Sequence, residues 1–158
     1  MVRSPFRIVI VEDHALFAQS PDFALTREGH DVRVLTPDDF ATPGALLARV
    51  RELRPRVVLL DLELGPLGDG RLFIAPLARA GVQVIVLTAT TDRVRWGECL
   101  AVGARRVLSK AGTLDGVLAA ITALAQGGPL MDETERAELI ALARANGEEH
   151  RAIRTRFE

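Results

Sequence analysis

Four apolar segments of this chain end in side chains that suit a phosphoryl group or a hard cation: Glu12 and Asp13 after residues 7–11, Asp61 after 57–60, Thr88 after 82–87, and Lys110 just beyond 106–108. In a parallel α/β sheet such ends share one edge, the edge at which ligands bind, so residues distant in sequence converge there. Three carboxylates gathered together repel one another, and a divalent cation relieves this. Mg²⁺ suits such a site because it takes oxygen ligands in octahedral geometry and keeps several waters. A cation, one ammonium and one hydroxyl are also what phosphoryl transfer needs. The positive charges neutralise the phosphoryl oxygens, Thr88 donates a hydrogen bond, and a carboxylate attacks in line, which makes Asp61 the expected nucleophile. Softer metals are not expected, since Cys99 and the three histidines lack ligand spacing.

The elements that must place these residues alternate between strand and helix. Residues 57–60 are apolar without alternation and read as a strand buried on both faces, leaving into a loop rich in Gly and Pro (Gly65, Pro66, Gly68, Gly70). Segments 7–11, 31–35, 82–87 and 106–108 read as the other strands. Between them lie helical patterns: Leu16 to Gly29, with a kink or a restart capped by Ser20 at Pro21; Thr42-Pro43 through Leu53; Leu72 to about Gly81, distorted at Pro76; about Thr91 to Val102; and a helix capped by Thr113. Five alternations imply a parallel sheet wrapped by helices on both faces. The run Gly127-Gly128-Pro129 closes this unit, giving an expected domain over 1–128. Residues 129–158 are rich in Glu, Arg and Ala and read as a solvated linker helix, with Gly147 as a break.

Composition limits the alternatives. A chain of 158 residues, 48% hydrophobic and 26% charged, fills one core and leaves little for a second. Its net charge of −1 gives no electrostatic case for DNA binding by this stretch. With one cysteine, no apolar run of about 18 residues and no signal peptide before the first strand, a cytoplasmic location without membrane contact is expected. Of the 20 basic residues only Lys110 is lysine, and a compact ammonium retained among arginines suggests a site that the planar guanidinium does not fit. His14 reads as a solvent-facing residue of a first helical turn, Trp96 and Cys99 as helix surface or core edge, and Arg105-Arg106 as solvated.

From Phe6 to Gly127 the chain resembles the receiver domains of two-component response regulators: EDH at the first strand end, DLELG at the third, LTA at the fourth and LSKAG at the fifth, in that order. The resemblance implies a flavodoxin-like five-stranded parallel sheet in the order 2-1-3-4-5. It also implies roles: Asp61 as phosphoacceptor, Asp13 as direct Mg²⁺ ligand, Glu12 as ligand through water, and the Glu63 backbone carbonyl completing the protein's share of the metal shell. Thr88 and the Ala89 backbone N–H would bind the phosphoryl oxygens, Lys110 would pair with them, and Glu63 and Thr90 would tune hydrolysis. Such a protein is no enzyme beyond adding and losing its own phosphoryl group.

Two departures stand out. Val107 occupies the position three before the lysine where the family often has Tyr or Phe, and the loop after Asp61 is about one residue longer than its commonest form. The Gly65-Pro66 order and the Arg/Glu-rich tail resemble the NarL/LuxR-type class. There a Phe-Glu pair such as Phe157-Glu158 leads into a helix-turn-helix domain, so a longer protein with a DNA-binding half is expected. A sensor histidine kinase, a homodimer and, through that absent half, DNA are the implied partners. The rival readings are a degenerate receiver acting as an interaction module, a haloacid-dehalogenase-like phosphotransferase, whose nucleophile would follow the first strand, and a flavodoxin-like cofactor carrier, whose phosphate Glu12-Asp13 would repel.

Overall fold

The computed structural model describes residues 5–157, with side chains to residue 152. Its five parallel strands are β1 (Arg7–Val11), β2 (Asp31–Leu35), β3 (Val57–Asp61), β4 (Gln83–Thr88) and β5 (Arg106–Ser109), in the order β2-β1-β3-β4-β5. The expected sheet and its order are therefore observed. β3 is buried throughout, as its unbroken apolar run requires of a central strand, whereas β2 at the edge is mostly exposed or half-buried. Asp61 closes the register of β3 opposite Leu87, and Thr88 pairs with Ser109 one step further on. The reversal of strand order between β1 and β3 puts Glu12 and Asp61 at a topological switch point.

Five helices cross between strands or follow them: α1 (Ala15–Arg27), α2 (Pro43–Leu53), α3 (Arg71–Arg79), α4 (Arg93–Ala101) and α5 (Leu114–Ala125). Two apolar clusters fill the two faces of the sheet. One contains Val9, Val58, Leu60, Val84 and Val86 under α2, α3 and α4; the other contains Ile8, Ile10, Leu59 and Ile85 under α1 and α5. This division follows the alternation of side chains along each strand. Thr42 caps α2, its hydroxyl accepting the Ala45 N–H at 3.1 Å with Pro43 in the first turn. Thr113 stands at the N-terminus of α5 without a side-chain cap.

Three local expectations are corrected. α1 runs unbroken through Pro21, which is buried and lines the cleft that α1 shares with α5, so Ser20 caps no second helix. Gly147 does not break the last helix, α6 (Glu133–Phe157), because a single Gly costs only about 1 kcal/mol relative to Ala and Arg144, Ala145, Glu148 and Glu149 nearby are good helix formers. Nor is that helix merely solvated: Leu139 and Ala143 are buried against α4, and burying a Leu contributes roughly 1.5–3 kcal/mol. The Phe157-Glu158 pair lies outside the residues whose side chains are described.

At the far edge of the sheet His30 is 4% exposed. Its Nδ1 accepts the Phe6 N–H at 3.3 Å, and its Nε2 has no hydrogen-bond partner among the described residues. Burial pushes its pKa down, outweighing the charge of Glu28. The unfolded chain thus binds the proton more readily, and the stability held above pH 6.5 is lost as pH falls through the folded pKa. Urea denaturation of wild type and His30→Phe at pH 8 and pH 5 should show the larger acid loss in wild type, by about 1.4 kcal/mol for each unit of depression.

Candidate functional site

Four of the five strand ends, all but that of β2, contribute to a single cluster. Lys110 Nζ lies 2.8 Å from Glu12 Oε2, 2.9 Å from Glu12 Oε1 and 3.0 Å from Asp61 Oδ2. All three side chains are nearly buried, that of Lys110 at 9% exposure and those of Glu12 and Asp61 at 3% or less. The Lys110 backbone N–H donates to the Thr88 carbonyl at 2.8 Å, so the end of β4 fixes where the lysine leaves β5. The fourth side of the ammonium meets the Phe17 ring, 4.7 Å from its centroid, a cation–π contact from the first turns of α1. Phe17 and Leu16 also line a cleft of about 240 Å³ between α1 and the β5–α5 turn that reaches Glu12 and Lys110.

The two oxygens of Asp61 are not equivalent. Oδ1 accepts the Glu63 N–H at 3.1 Å, which folds the start of the loop back on the strand end. Oδ2 faces Lys110 at ion-pair distance, but the angle is not that of a hydrogen bond, and it has no hydrogen-bond donor among the described residues. Gly70 supports this arrangement from below: a Cβ there would come within 2.8 Å of the Leu62 Cα and 3.1 Å of the Asp61 carbonyl carbon. Its N–H donates to the Leu62 carbonyl at 2.7 Å.

Burial raises the Glu12 pKa, outweighing the hydrogen bonds from Lys110 and the His14 N–H. For Lys110 burial acts downward, but the hydrogen bond it donates to Glu12, together with the close Asp61 carboxylate and the charges of both, carries its pKa above the ordinary lysine value. The lysine therefore stays charged, and the buried carboxylates share one counter-ion. Cys99 takes no part: burial, followed by the Asp69 charge, pushes its thiol up to about 12.

Glu12, His14 and Asp61 each offer a ligand atom, all within 4.8 Å of one another. His14 is the residue that sequence reasoning set aside. It is exposed, but its Nδ1 lies 3.5 Å from Glu12 Oε1 and its backbone N–H donates to the same oxygen at 3.0 Å. Its place directly after the acidic pair was the available signal. Asp13 is half-buried and turned toward the loop, with its carboxylate oxygens 3.4 Å from where a Cβ on Gly65 would sit. Glu63 is exposed and bridges Asp69 across that loop. Thr88 is buried, its Oγ1 accepting the Thr90 N–H at 3.1 Å, and Ala89 is exposed beside it.

The family model described as "Response regulator receiver domain" matches residues 8–122. The chain belongs to that family. This receiver domain is 39% identical over 88 residues to the "DNA-binding response regulator MtrA" of Mycolicibacterium paratuberculosis, a match covering 56% of this chain and 37% of that protein. The chain thus aligns with little more than a third of the curated relative's length. Among solved structures it is similar to a Burkholderia pseudomallei response regulator with a phosphorylated aspartic acid, calcium ion and citrate (TM-score 0.64, 24% identity, 77% of this chain and 69% of that one). It is also similar to the receiver domain of the putative response regulator NarL from Mycobacterium tuberculosis (TM-score 0.65, 23% identity, 78% of this chain and 98% of that one).

The expected NarL/LuxR-type class is corrected by these findings. At 23% identity the NarL likeness shows the fold alone, whereas the relatives at 38–39% identity are MtrA regulators. The Gly65-Pro66 order and an Arg/Glu-rich tail are short compositional features that do not discriminate classes. No helix among the described residues is long and apolar enough to cross a membrane.

Proposed function

We propose that Asp61 of this receiver domain accepts a phosphoryl group from a sensor histidine kinase. The observation that carries the reading is Asp61 Oδ2, buried without a hydrogen-bond donor among the described residues and 3.0 Å from the Lys110 ammonium. An oxygen so placed keeps its lone pairs for attack while the ammonium waits at the position where phosphoryl charge arrives. In the transfer, Oδ2 forms a bond to phosphorus as the bond to the donor's leaving atom breaks, giving an acyl phosphate on Asp61. Lys110 then turns from Glu12 toward the phosphoryl oxygens. Thr88 and the Ala89 N–H supply hydrogen bonds, and hydrolysis by water returns the carboxylate. The chemistry begins and ends on the protein itself.

The donor set fits a hard cation, since the buried carboxylates of Glu12 and Asp61 share the single ammonium of Lys110 and leave negative charge for a cation to meet. Asp13 and Asp61 would hold Mg²⁺ directly, Glu12 through water, with the Glu63 carbonyl. When bound, Mg²⁺ would supply further charge neutralisation at the phosphoryl oxygens. In the whole protein, residues 1–128 are the phosphoacceptor unit and 129–158 the helical connection to an effector. The likeness to DNA-binding response regulators named MtrA supports DNA-binding transcription control by that effector; a cytoplasmic setting and a homodimer belong to the same proposal.

Withdrawing the cation provides the test. Incubated with acetyl phosphate and Mg²⁺, the chain is expected to gain one acid-labile phosphoryl group by intact mass. With excess EDTA the uptake should fall by about 10²-fold, as several kcal/mol of charge stabilisation are removed. Equal uptake in EDTA would contradict the assigned cation.

A further inference from the structure

Helix α6 rests on α4 with almost no side chain between them. At Gly97 a Cβ would come within 2.7 Å of the Leu139 carbonyl carbon and 2.9 Å of the Ala143 Cβ, so the two backbones touch. At the C-terminal end of α4, Arg136 forks onto two carbonyls, donating to Ala104 at 2.9 Å and to Leu100 at 3.1 Å. Leu139 and Ala143 are buried by this docking. A backbone-to-backbone seat has no flexible side chain to absorb a displacement, so α6 can stay docked only where α4 stays put.

The other side of α4 is wired to the proposed phosphoryl site. Trp96, next to Gly97, donates its indole N–H to the Thr90 carbonyl at 3.0 Å. The N–H of Thr90 in turn donates to Thr88 Oγ1 at 3.1 Å, and Thr90 Oγ1 accepts the Asp92 N–H at the cap of α4. A single residue, Thr90, therefore joins the Thr88 hydroxyl to the helix that carries α6. The loop after Asp61 and the start of α3 reach the same helix through the ion pairs Asp69–Arg95 and Arg71–Glu98.

We propose that α6 is a strap released from α4 when Asp61 is phosphorylated, with Trp96 as the residue that relays the change. The inference rests on the phosphoacceptor reading of Asp61. A Thr88 side chain that rotates about χ1 to bring its hydroxyl to a phosphoryl oxygen carries Oγ1 away from the Thr90 N–H. The Thr90 backbone then reorients, the Trp96 indole follows its acceptor, and α4 shifts beneath Leu139. The seat at Gly97 accommodates one position of α4, so the shift is read as undocking. Release would uncover the α4 face that Leu139 and Ala143 cover.

Trp96 is the sole tryptophan, which makes its emission a direct reporter of this region. The experiment is hydrogen exchange by mass spectrometry over residues 133–146 and Trp96 fluorescence, before and after acetyl phosphate with Mg²⁺, with intact mass measured on the same sample. In phosphorylated wild type the segment should exchange about tenfold faster, a usual size for coupling between sites, and the emission should shift. Leu139→Ala should exchange fast already without phosphate. Trp96→Phe keeps a ring but lacks the N–H; it should take up the phosphoryl group and leave α6 exchange unchanged. Full phosphorylation of wild type with exchange within about twofold of the starting rate overturns the strap. Undocking that persists in Trp96→Phe overturns Trp96 as the relay. Absence of phosphoryl uptake overturns the Asp61 reading and the strap together, and the mass measurement tells this from uptake without release.

Discussion

Lys110→Met is expected to take up the phosphoryl group from acetyl phosphate about 10²-fold or more slowly than wild type, the usual cost of losing one preorganised donor at a developing anion. Methionine preserves much of the stem that packs beside Phe17 and removes the charge. The ammonium is the one cation within reach of both buried carboxylates among the described residues, 2.8 Å from Glu12 and 3.0 Å from Asp61. Without it, each carboxylate faces the other with no counter-ion, and an arriving phosphoryl group adds roughly two further negative charges. Arginine would not restore the site: its planar fork demands a width that a cation wedged between two carboxylates and a phenyl ring does not have.

The same substitution has a structural cost with a pH signature. Burial already raises the Glu12 pKa, and removing the Lys110 hydrogen bond removes the larger of the two hydrogen bonds that oppose that shift, leaving only the one from the His14 N–H. With a folded pKa above the unfolded one, Glu12 favours the folded state in its protonated form. The variant should therefore be most stable below the ordinary carboxylate range and lose that advantage as pH rises through the folded pKa. Circular dichroism at the assay pH separates a lost fold from a lost reaction. Uptake by a folded Lys110→Met protein within about twofold of wild type would contradict the role given to the ammonium.

The parts of the site that were legible in the sequence are those written into strand ends. An unbroken apolar run such as 57–60 can only be central in the sheet, and the residue that ends it must emerge at the edge where ligands bind. Hence Glu12, Asp61, Thr88 and Lys110 could be brought together without a structure. His14 was passed over because the residue after an acidic pair opens a helix, and its approach to Glu12 is set by the path of the turn, not by periodicity. Pro21 and Gly147 misled for a related reason: local propensity of at most a few kcal/mol yields to the packing or the good neighbours of the helix in which they sit.

The docking of α6 was hidden more deeply. Gly97 in a helix reads as a weak helix former, and only the crossing of a second helix shows why a side chain is missing there. Leu139 and Ala143 looked too sparse for an amphipathic face, yet a close backbone approach needs little apolar surface to hold. Val107, buried beneath this region in place of the usual aromatic, fits the same picture, because Trp96 now supplies the ring beside the β4–α4 loop.

The central claim, that Asp61 Oδ2 is the phosphoacceptor oxygen of this receiver domain, is tested by treating wild type and Asp61→Asn in parallel with acetyl phosphate and Mg²⁺. Asparagine matches the carboxylate in shape, and its amide is too poor a nucleophile to form the acyl phosphate, so the fold is preserved while the reaction is not. Intact mass with peptide mapping should show one acid-labile phosphoryl group on the wild-type peptide containing Asp61 and none on Asp61→Asn. Equal labelling of the two proteins, or a label mapped to another carboxylate in wild type, would contradict it.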